Sequence, residues 1–354
     1  MDAIVVSHST ALYAMRRSRR RYAGLPWGRL DRLQQQRALD ACAPNGSSVD
    51  LDDLEHLGVW DPGLGCLDVL VDTGNARRRI DPLRPHVLSG PLPSNSLLQI
   101  SAEVYTVSPA LAVAQFAEDH DWREVLGLIL ELCGTFSLPE SPSENQRMDR
   151  TEQLRDDLYE NARNSRIGYF SCEPALEMRQ LNRYLSYASG IRGLPSARKA
   201  ARYALDGAAS PMEAIMAAMF HVPMGSGGFN IKDMQLNHRM EFGHDAVLAS
   251  GMPYAVLDAY IAAAAAALEY NGHYHDATRS RIHDERRTTG LQAMGILTIP
   301  VNDEQLRNID ALEAIARILY RRMGRQFRYY ASGYRTKQSD LLNALRGQMG
   351  LNPC

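Results

Sequence analysis

Two acidic residues in the second half of the chain have the types and spacing of a metal site. Asp258 and Glu269 lie eleven residues apart, and Glu269 begins the polar segment EYNGHYHD. If the chain turns back between them, the two carboxylates can share a hard divalent cation such as Mg²⁺ or Mn²⁺, which prefers oxygen ligands. A cation bound in this way lowers the pKa of a coordinated water and stabilises charge on a phosphoryl oxygen. The pair therefore indicates hydrolysis of a phosphodiester bond.

Three further residues could complete such a site. The imidazole of His275, with an ordinary pKa of about 6.5, can position a phosphate or act as an acid or base. Asn271 can orient a water or a phosphate oxygen, although an amide carries no charge. Glu213 has two interpretations, as a carboxylate near the metal or as the acid of a capping box that starts at Ser210. The strand acids themselves could also be ordinary solvent-exposed side chains.

Basic residues supply candidate contacts for nucleic acid. Residues 16–32 and 317–346 are rich in arginine, and aromatic residues are interleaved in the second stretch. Such a mixture suits phosphate neutralisation and base stacking, but a solvent-exposed helix face explains each cluster equally well. The formal net charge of −2 argues against a protein that coats nucleic acid along its whole surface. The arginines that we predict to contact DNA are Arg286, Arg287, Arg321, Arg322 and Arg325.

The two acids need a hairpin to bring them together. Apolar patterning in MQLNHRMEF, YAVLDAYI and ALEY predicts three strands, and ILTIPV predicts a fourth. SPMEAIMAAMF predicts a helix that ends at the turn GSGGFN, and TRSRIHDERRTTGLQAM predicts a helix before the last strand. The six alanines at 262–267 are ambiguous, because alanine has the highest helix propensity. A continuous helix there would separate the acids by about 16 Å along its axis.

This order of elements, with its two acids, resembles the core of the PD-(D/E)XK nucleases. It is similar in particular to the small endonuclease-like domains related to very-short-patch repair enzymes, whose last strand and loop read E-x-D-G-x-x-H. EYNGHYH at 269–275 matches this pattern at Glu269, Gly272 and His275. The residues that fit the helix such domains carry next are Asp284, Arg287, Leu291 and Gly295. The resemblance covers residues 205–325 and implies a restriction-endonuclease-like αβββαβ core, with a central mixed sheet flanked by helices.

The resemblance implies a Mg²⁺- or Mn²⁺-dependent endonuclease that hydrolyses DNA. Asp258 and Glu269 would be metal ligands, and the Tyr270 carbonyl would be a third. Asn271 stands where the wider superfamily has a lysine and this subgroup usually an aspartate; Lys232 is the lysine that could reach in from upstream. The alternative is a catalytically inactive regulator that keeps the nuclease fold and binds nucleic acid or a partner protein.

The first part of the chain resembles the C-terminal part of AbiEi-type antitoxins. The segments that carry this resemblance are VVSHSTALYAM, LDVLV followed by three arginines, PHVLSGPLP and VYTVSPALAVAQFA. Such regions are often fused to an endonuclease-like domain. The resemblance implies a defence or toxin–antitoxin context, with a toxin or antitoxin partner or a homo-oligomer as alternatives beside DNA.

Length and composition fit an α/β protein of two domains. The chain has 354 residues, of which 45% are hydrophobic and 23% charged. We predict an α+β domain at 1–140, a linker and helical connector at 141–206, the endonuclease-like domain at 207–325 and a basic tail at 326–354.

The composition also predicts where in the cell the protein is located. No apolar run approaches the roughly 20 residues that cross a bilayer, and the first residues lack the layout of a secretory signal. The five scattered cysteines fit reduced thiols. We therefore expect a cytoplasmic protein with no membrane partner.

Overall fold

The computed structural model describes residues 3–42, 49–72, 81–88, 90–140, 168–271, 278–330 and 332–354, apart from the side chains of 278–282. The chain forms two compact units. Of the described residues, the first unit contains those up to Cys133 with 137–140 and 170–202, and the second contains 134–136, 168–169 and Tyr203–Cys354. The protein is a mixed α/β protein, with one six-stranded and one four-stranded mixed sheet, each flanked by helices.

The described part of the first unit contains a six-stranded sheet and seven helices. The strands are β1 (Ile4–Val6), β2 (Gly28–Arg29), β3 (Leu67–Val71), β4 (Leu83–Val87), β5 (Leu97–Gln99) and β6 (Val104–Val107). The helices are α1 (His8–Tyr22), α2 (Arg32–Asp40), α3 (Leu51–His56), α4 (Pro109–Phe116), α5 (Trp122–Leu132), α6 (Met178–Tyr187) and α7 (Leu194–Ala201). The two helices predicted as a connector between domains, α6 and α7, lie within this unit.

The six strands lie in the order β2–β5–β6–β1–β3–β4. Strand β1 is parallel to β6 and antiparallel to β3, and β3 is parallel to β4. All five residues of β3, LDVLV, are buried, and its apolar side chains join those of β1 in the core. Asp68 is the only charged residue of this strand, so a carboxylate lies in the interior of the unit.

The second unit carries the four-stranded sheet. Its elements are α8 (Pro211–His221), β9 (Met234–Glu241), α9 (His244–Ser250), β10 (Tyr254–Ile261), β11 (Ala266–Asn271), α10 (Thr278–Ala293), β12 (Leu297–Asn302), α11 (Asp303–Arg307), α12 (Ile309–Arg322) and α13 (Tyr334–Gln348). Two short strands, β7 (Phe136–Ser137) and β8 (Phe170–Ser171), lie where the chain passes from one unit to the other. The strand order is β12–β11–β10–β9, with β11 and β12 parallel and the other pairs antiparallel.

Local sequence signals account for these elements. Helix α8 begins at the predicted cap, where the Ser210 side chain accepts a hydrogen bond from the backbone N–H of Glu213 and Pro211 occupies the first turn. Strand β10 buries alternate residues, Ala255, Leu257, Ala259 and Ile261. These apolar side chains form the face that packs into the core, so Asp258 lies on the opposite face of β10.

The alanine run forms the predicted hairpin, and the alternative prediction of a continuous helix is wrong. Residues Ala262–Ala264 form a 3-10 turn, Ala265 has a left-handed backbone with φ of 42°, and β11 begins at Ala266. Because Ala264, Ala266 and Ala267 are buried, packing in the sheet outweighs the intrinsic helix preference of alanine. Strand β10 continues to Ile261, so Asp258 lies in the strand interior.

Three helices of the second unit, α9, α11 and α13, were not predicted. Helix α9 is inserted between β9 and β10, and α13 lies within the segment that we expected to be a basic tail. Leu341, Leu342 and Leu345 of α13 are buried, so this helix is part of the packed unit. None of the helices in the described ranges has the length and apolar content to span a bilayer. All five cysteines are free thiols, and three of them are buried.

Candidate functional site

Three carboxylates from three elements come together in the second unit. The hairpin register pairs Ala259 with Leu268, so one step further along each strand places Asp258 opposite Glu269. The backbone N–H of Tyr270 donates a hydrogen bond of 2.7 Å to Oδ2 of Asp258, which fixes this carboxylate at the β11 edge. Glu213, on α8, interacts electrostatically with both strand acids. The structure therefore brings together the three acids that the sequence singled out.

The position of Glu213 is compatible with both of its interpretations, as an acid that caps α8 and as a carboxylate beside the two strand acids. Its Oε1 accepts a hydrogen bond of 2.8 Å from the Ser210 hydroxyl, and its Oε2 accepts one of 3.0 Å from the backbone N–H of Ala209. These contacts hold the side chain back over the start of α8, as in a capping box. In that position the carboxylate also faces the acids of the hairpin, so capping and membership of the cluster are compatible.

Glu269 is the most buried of the three acids, with a residue exposure of 6%. Its Oε2 forms an ion pair of 2.7 Å with Nη2 of Arg287, a residue of α10. The same Nη2 donates a hydrogen bond of 2.7 Å to the carbonyl oxygen of Val256. The other oxygen, Oε1, is buried and has no hydrogen-bond partner in the structure. A buried carboxylate oxygen without a partner is costly, and a bound cation would remove that cost.

Burial and mutual repulsion make these acids hold their protons unusually tightly. Burial first, and then the charge of Asp258, raise the pKa of Glu213 to about 7 against the hydrogen bonds from Ala209 and Ser210. The same two causes raise the pKa of Glu269 to about 7, although Arg287 opposes them. Burial also raises the pKa of Asp258, against the Tyr270 N–H and Arg287. Glu213 and Glu269 therefore take up or release protons near neutral pH, beside the guanidinium of Arg287.

Two tyrosines border the site. The carbonyl of Tyr270 was predicted as a metal ligand, whereas Tyr169 was not predicted as part of the site. Burial, and then the charges of Glu213 and Asp258, raise the pKa of Tyr169. Burial, followed by the charge of Asp303 and by Tyr169, raises the pKa of Tyr270 to about 12. Tyr169 belongs to the second unit, lies in the sequence directly before a segment of the first unit and forms part of no recognisable motif, so no local signal could have identified it.

The polar residues after Glu269 are only partly described. Asn271 is exposed at the last position of β11, and the parallel register pairs it with Asn302. Gly272, His273 and His275 lie outside the described residues, so the predicted role of His275 stays a prediction.

No lysine replaces Asn271 at this site. Lys232 donates a hydrogen bond of 3.0 Å to the carbonyl of His221, Lys199 lies over the Trp122 ring, and Lys337 contacts the carbonyl of Gly225. All three lysines of the chain are described, and each of them is engaged outside the acid cluster. Among the residues that the structure describes, Arg287 is the basic residue paired with Glu269.

The predicted DNA-binding arginines divide into two groups. Arg286, Arg321 and Arg325 are exposed. Arg322 instead donates hydrogen bonds to the carbonyls of Ala264 and Ala265, at 2.7 Å and 3.2 Å, and so supports the hairpin turn. Arg287 is committed to Glu269, as described above. Arg322 is exposed as well, so four of the five arginines are exposed, and three of these, Arg286, Arg321 and Arg325, do not belong to the support of the hairpin turn.

Much of the first arginine cluster has a structural role. Arg16 forms a bidentate ion pair with the buried carboxylate of Glu131, at 2.7 Å and 2.8 Å. Arg19 is fully buried and donates to the carbonyls of Glu173 and Glu131. The density of arginine at 16–32 therefore does not by itself mark a nucleic-acid surface.

The cluster has suitable donors for a divalent cation but not a preformed coordination shell. Within the described ranges, no group of three or more His, Cys, Asp or Glu side chains is placed to hold a metal ion. The oxygen ligands and the partnerless Oε1 of Glu269 nevertheless fit Mg²⁺ or Mn²⁺ chemically. The ion pair from Arg287 occupies the second oxygen of Glu269, so metal binding would require the arginine to yield at least part of that contact.

Comparisons of the chain with protein-family models, curated proteins and solved structures gave no match.

Proposed function

We propose that the second unit is a divalent-cation-dependent nuclease of the PD-(D/E)XK type that cleaves DNA. The observation that carries the proposal is the hairpin register, which sets Asp258 opposite Glu269 with Glu213 facing both. The sequence of elements α8, β9, β10, β11, α10 and β12 supports it, because it follows the αβββαβ order with only α9 inserted. Asp258 and Glu269 would hold Mg²⁺ or Mn²⁺, with the Tyr270 carbonyl as a further ligand.

When bound, the cation would supply an activated water and neutralise charge on the scissile phosphate. Arg287 supplies the positive charge that the wider superfamily draws from a lysine at the position of Asn271. Glu213, with its pKa raised to about 7, can accept or release a proton near neutral pH. Asn271, exposed at the strand end, can orient a water or phosphate oxygen, as His275 is also predicted to do. Arg286, Arg321 and Arg325 would contact the DNA backbone.

A specific observation favours a second candidate, a catalytically inactive regulator that binds nucleic acid or a partner protein. The ion pair between Arg287 and Glu269 already compensates one acid without a metal. Together with the neutral amide at Asn271, it could stabilise a nuclease fold that has lost turnover. A defence or toxin–antitoxin context, and a homo-oligomer or a toxin or antitoxin partner, fit either candidate equally well.

Cleavage of supercoiled plasmid DNA by the full chain tests the first candidate. We expect nicking or linearisation in Mg²⁺ or Mn²⁺ that is abolished by EDTA. Removing the charge of a metal ligand, in Glu269→Gln, should lower the rate at least about 100-fold, because the cation loses one of its anionic ligands. Glu241→Gln is the matched control. Glu241 is an exposed acid at the end of β9, so this variant should cleave DNA like the wild type.

The outcome separates the two candidates. Salt-sensitive DNA binding that survives Glu269→Gln, with no cleavage by the wild type in either metal, would favour the regulator. Equal cleavage by Glu269→Gln and the wild type would rule out this cluster as the catalytic centre.

A further inference from the structure

The first unit contains a cavity that is separate from the acid cluster and has no role in the proposed nuclease. Its volume is about 430 Å³, within the size range of small-molecule sites. Aliphatic side chains, including Leu70, Val87 and Leu111, form part of its wall. Its polar side chains are His8, His86, Gln115, Glu118 and Arg192. A concave site with apolar walls and a few polar groups is the usual form of a ligand pocket.

His8 is held at the cavity in an unusual backbone conformation. It is the first residue of α1, two residues after the end of β1, and its φ of 48° is in the left-handed region that residues with a side chain rarely adopt. Its ring stacks on that of His86, with 3.6 Å between centroids and 19° between planes. Its backbone N–H donates to Oε1 of Gln115 at 3.3 Å. Strained residues of this kind concentrate at functional sites.

A buried carboxylate fixes the second ring of the stack. Asp68 of β3 accepts hydrogen bonds from Nε2 of His86 at 2.7 Å, from Nη2 of Arg84 at 2.9 Å and from the Ser9 hydroxyl. Burial alone would raise the pKa of Asp68, but these donors outweigh it and hold the pKa well below its usual range. Since the ionised carboxylate can only accept, Nε2 of His86 carries a proton and donates it to Asp68.

The remaining hydrogen-bonding groups of the cavity are complementary to a polar heterocycle. Because Oε1 of Gln115 accepts from His8, its amide NH₂ is left to donate. Burial, and then the charge of His86, lower the pKa of His8 to about 4, so its ring is neutral at pH 7. Nδ1 of His8 shares a hydrogen bond of 3.0 Å with Ser7, and its Nε2 can donate or accept according to the tautomer. The cavity thus offers the amide donor of Gln115 together with the ring nitrogens of two histidines.

The charges near the cavity are already paired, which disfavours a charged ligand. Arg192 lies 2.8 Å from Asp119 and 3.8 Å from Glu118, and Arg84 is paired with Asp68. An anion would have to compete with these carboxylates for the arginines, and a cation would have to displace the arginines. An uncharged ligand needs neither change.

We propose that this cavity binds one nucleobase, as a nucleoside or as an unpaired nucleotide, through its uncharged heterocycle. The flat, uncharged base would lie against the aliphatic wall and the histidine stack, while its edge exchanges hydrogen bonds with Gln115, His8 and His86. The site does not depend on the acid cluster or on the nuclease activity proposed for the second unit.

Saturation-transfer NMR on the full chain, with adenosine, guanosine, cytidine and uridine as probes, tests this site. We expect at least one nucleoside to bind, with its affinity then measured by calorimetry. His8→Ala should weaken binding at least about tenfold, because it removes the stacked ring and its Nε2. Ile191→Trp, which fills the cavity and leaves both histidines in place, should do the same.

Two controls complete the experiment. His56→Ala, an exposed histidine at the end of α3, and Glu269→Gln should bind as the wild type does. Inorganic phosphate should not compete. The proposal is overturned if no nucleoside binds at millimolar concentration, if Ile191→Trp binds as tightly as the wild type, or if phosphate displaces the ligand. Circular dichroism identifies a variant that fails to fold. If His8→Ala does not fold, nucleoside binding by the cavity-filling variant Ile191→Trp decides the test.

Discussion

At the scale of single residues, burial decides the chemistry of the acid cluster. Asp258 and Glu269 were recognisable in the sequence by type and spacing, and their juxtaposition follows from the hairpin register. The ion pair of Arg287 with Glu269 was not predictable, because it depends on where α10 crosses the sheet. Tyr169 was equally hidden, since only the folded chain brings it near the acids. Sequence therefore identified the charges and not the groups that compensate them.

The raised pKa of Glu269 has a direct consequence for stability. The pKa of about 7, against an ordinary value of 4.5, means that the folded protein binds this proton more tightly than the unfolded chain does. The resulting stabilisation is complete below pH 4.5 and is lost as the pH rises through 7. Because Glu269→Gln stays neutral, it should gain about 2–3 kcal/mol relative to the wild type between about pH 5 and pH 8.

Denaturant unfolding in EDTA at several pH values measures this difference. Comparing the variant with the wild type at each pH removes the opposing contributions of other groups, such as His8 and His221, whose pKa values are lowered to about 4. Added Mg²⁺ should restore stability to the wild type at high pH and leave the variant unchanged. If the difference in free energy of unfolding between Glu269→Gln and the wild type does not change with pH, the raised pKa of Glu269 is contradicted.

At the scale of elements, the alternation of apolar residues was a sound guide and alanine propensity was not. YAVLDAYI forms β10 over its whole length, and the predicted helix TRSRIHDERRTTGLQAM corresponds to α10 at Thr278–Ala293. The alanine run could not be decided locally, because alanine is a poor strand former whose placement here depends on buried neighbours. Helix α13 was missed because its buried leucines lie among arginines and tyrosines that suggested a solvated tail.

The glycine turn after α8 offers a test of how tightly the loop before β9 is packed. A Cβ on Gly228 would lie 2.0 Å from the carbonyl oxygen of Val222, which has no room to move because it accepts from the N–H of Asn230. We expect Gly228→Ala to destabilise the protein by about 2–3 kcal/mol, since backbone must shift to accommodate the methyl group.

Gly225→Ala, three residues away in the same turn, is the matched control. A Cβ there would meet nothing within 4 Å, so the stability should change by less than about 0.5 kcal/mol. Thermal or denaturant unfolding measures both variants. If the two substitutions have equal effects, the close approach of Gly228 to Val222 does not limit the packing.

At the scale of the whole molecule, the nearly balanced charge limits how the protein can bind DNA. The formal net charge is −2, and many arginines are occupied by internal carboxylates and carbonyls. Of the exposed candidates in the second unit, Arg322 supports the hairpin turn, which leaves Arg286, Arg321 and Arg325. If each neutralises one phosphate, the logarithm of affinity should fall with the logarithm of salt concentration with a slope of about −3.

Fluorescence anisotropy with Glu269→Gln in EDTA measures this slope without cleavage. Substituting alanine for all three arginines should bring the slope close to zero, because each lost phosphate contact reduces the salt dependence by about one unit. Arg179→Ala, which removes an exposed arginine of the first unit, should leave the slope unchanged. A slope of about −6 or steeper would mean that other basic segments take part.

The support of the hairpin turn by Arg322 bears on when the acid pair can form during synthesis. The turn contains only alanines, which offer no polar side chain to hold it, and its carbonyls are bound by a guanidinium that lies more than fifty residues downstream. A chain emerging from the ribosome exposes Glu269 well before α12. We therefore expect the newly made polypeptide to gain the full support of its hairpin turn only after most of the second unit has been translated.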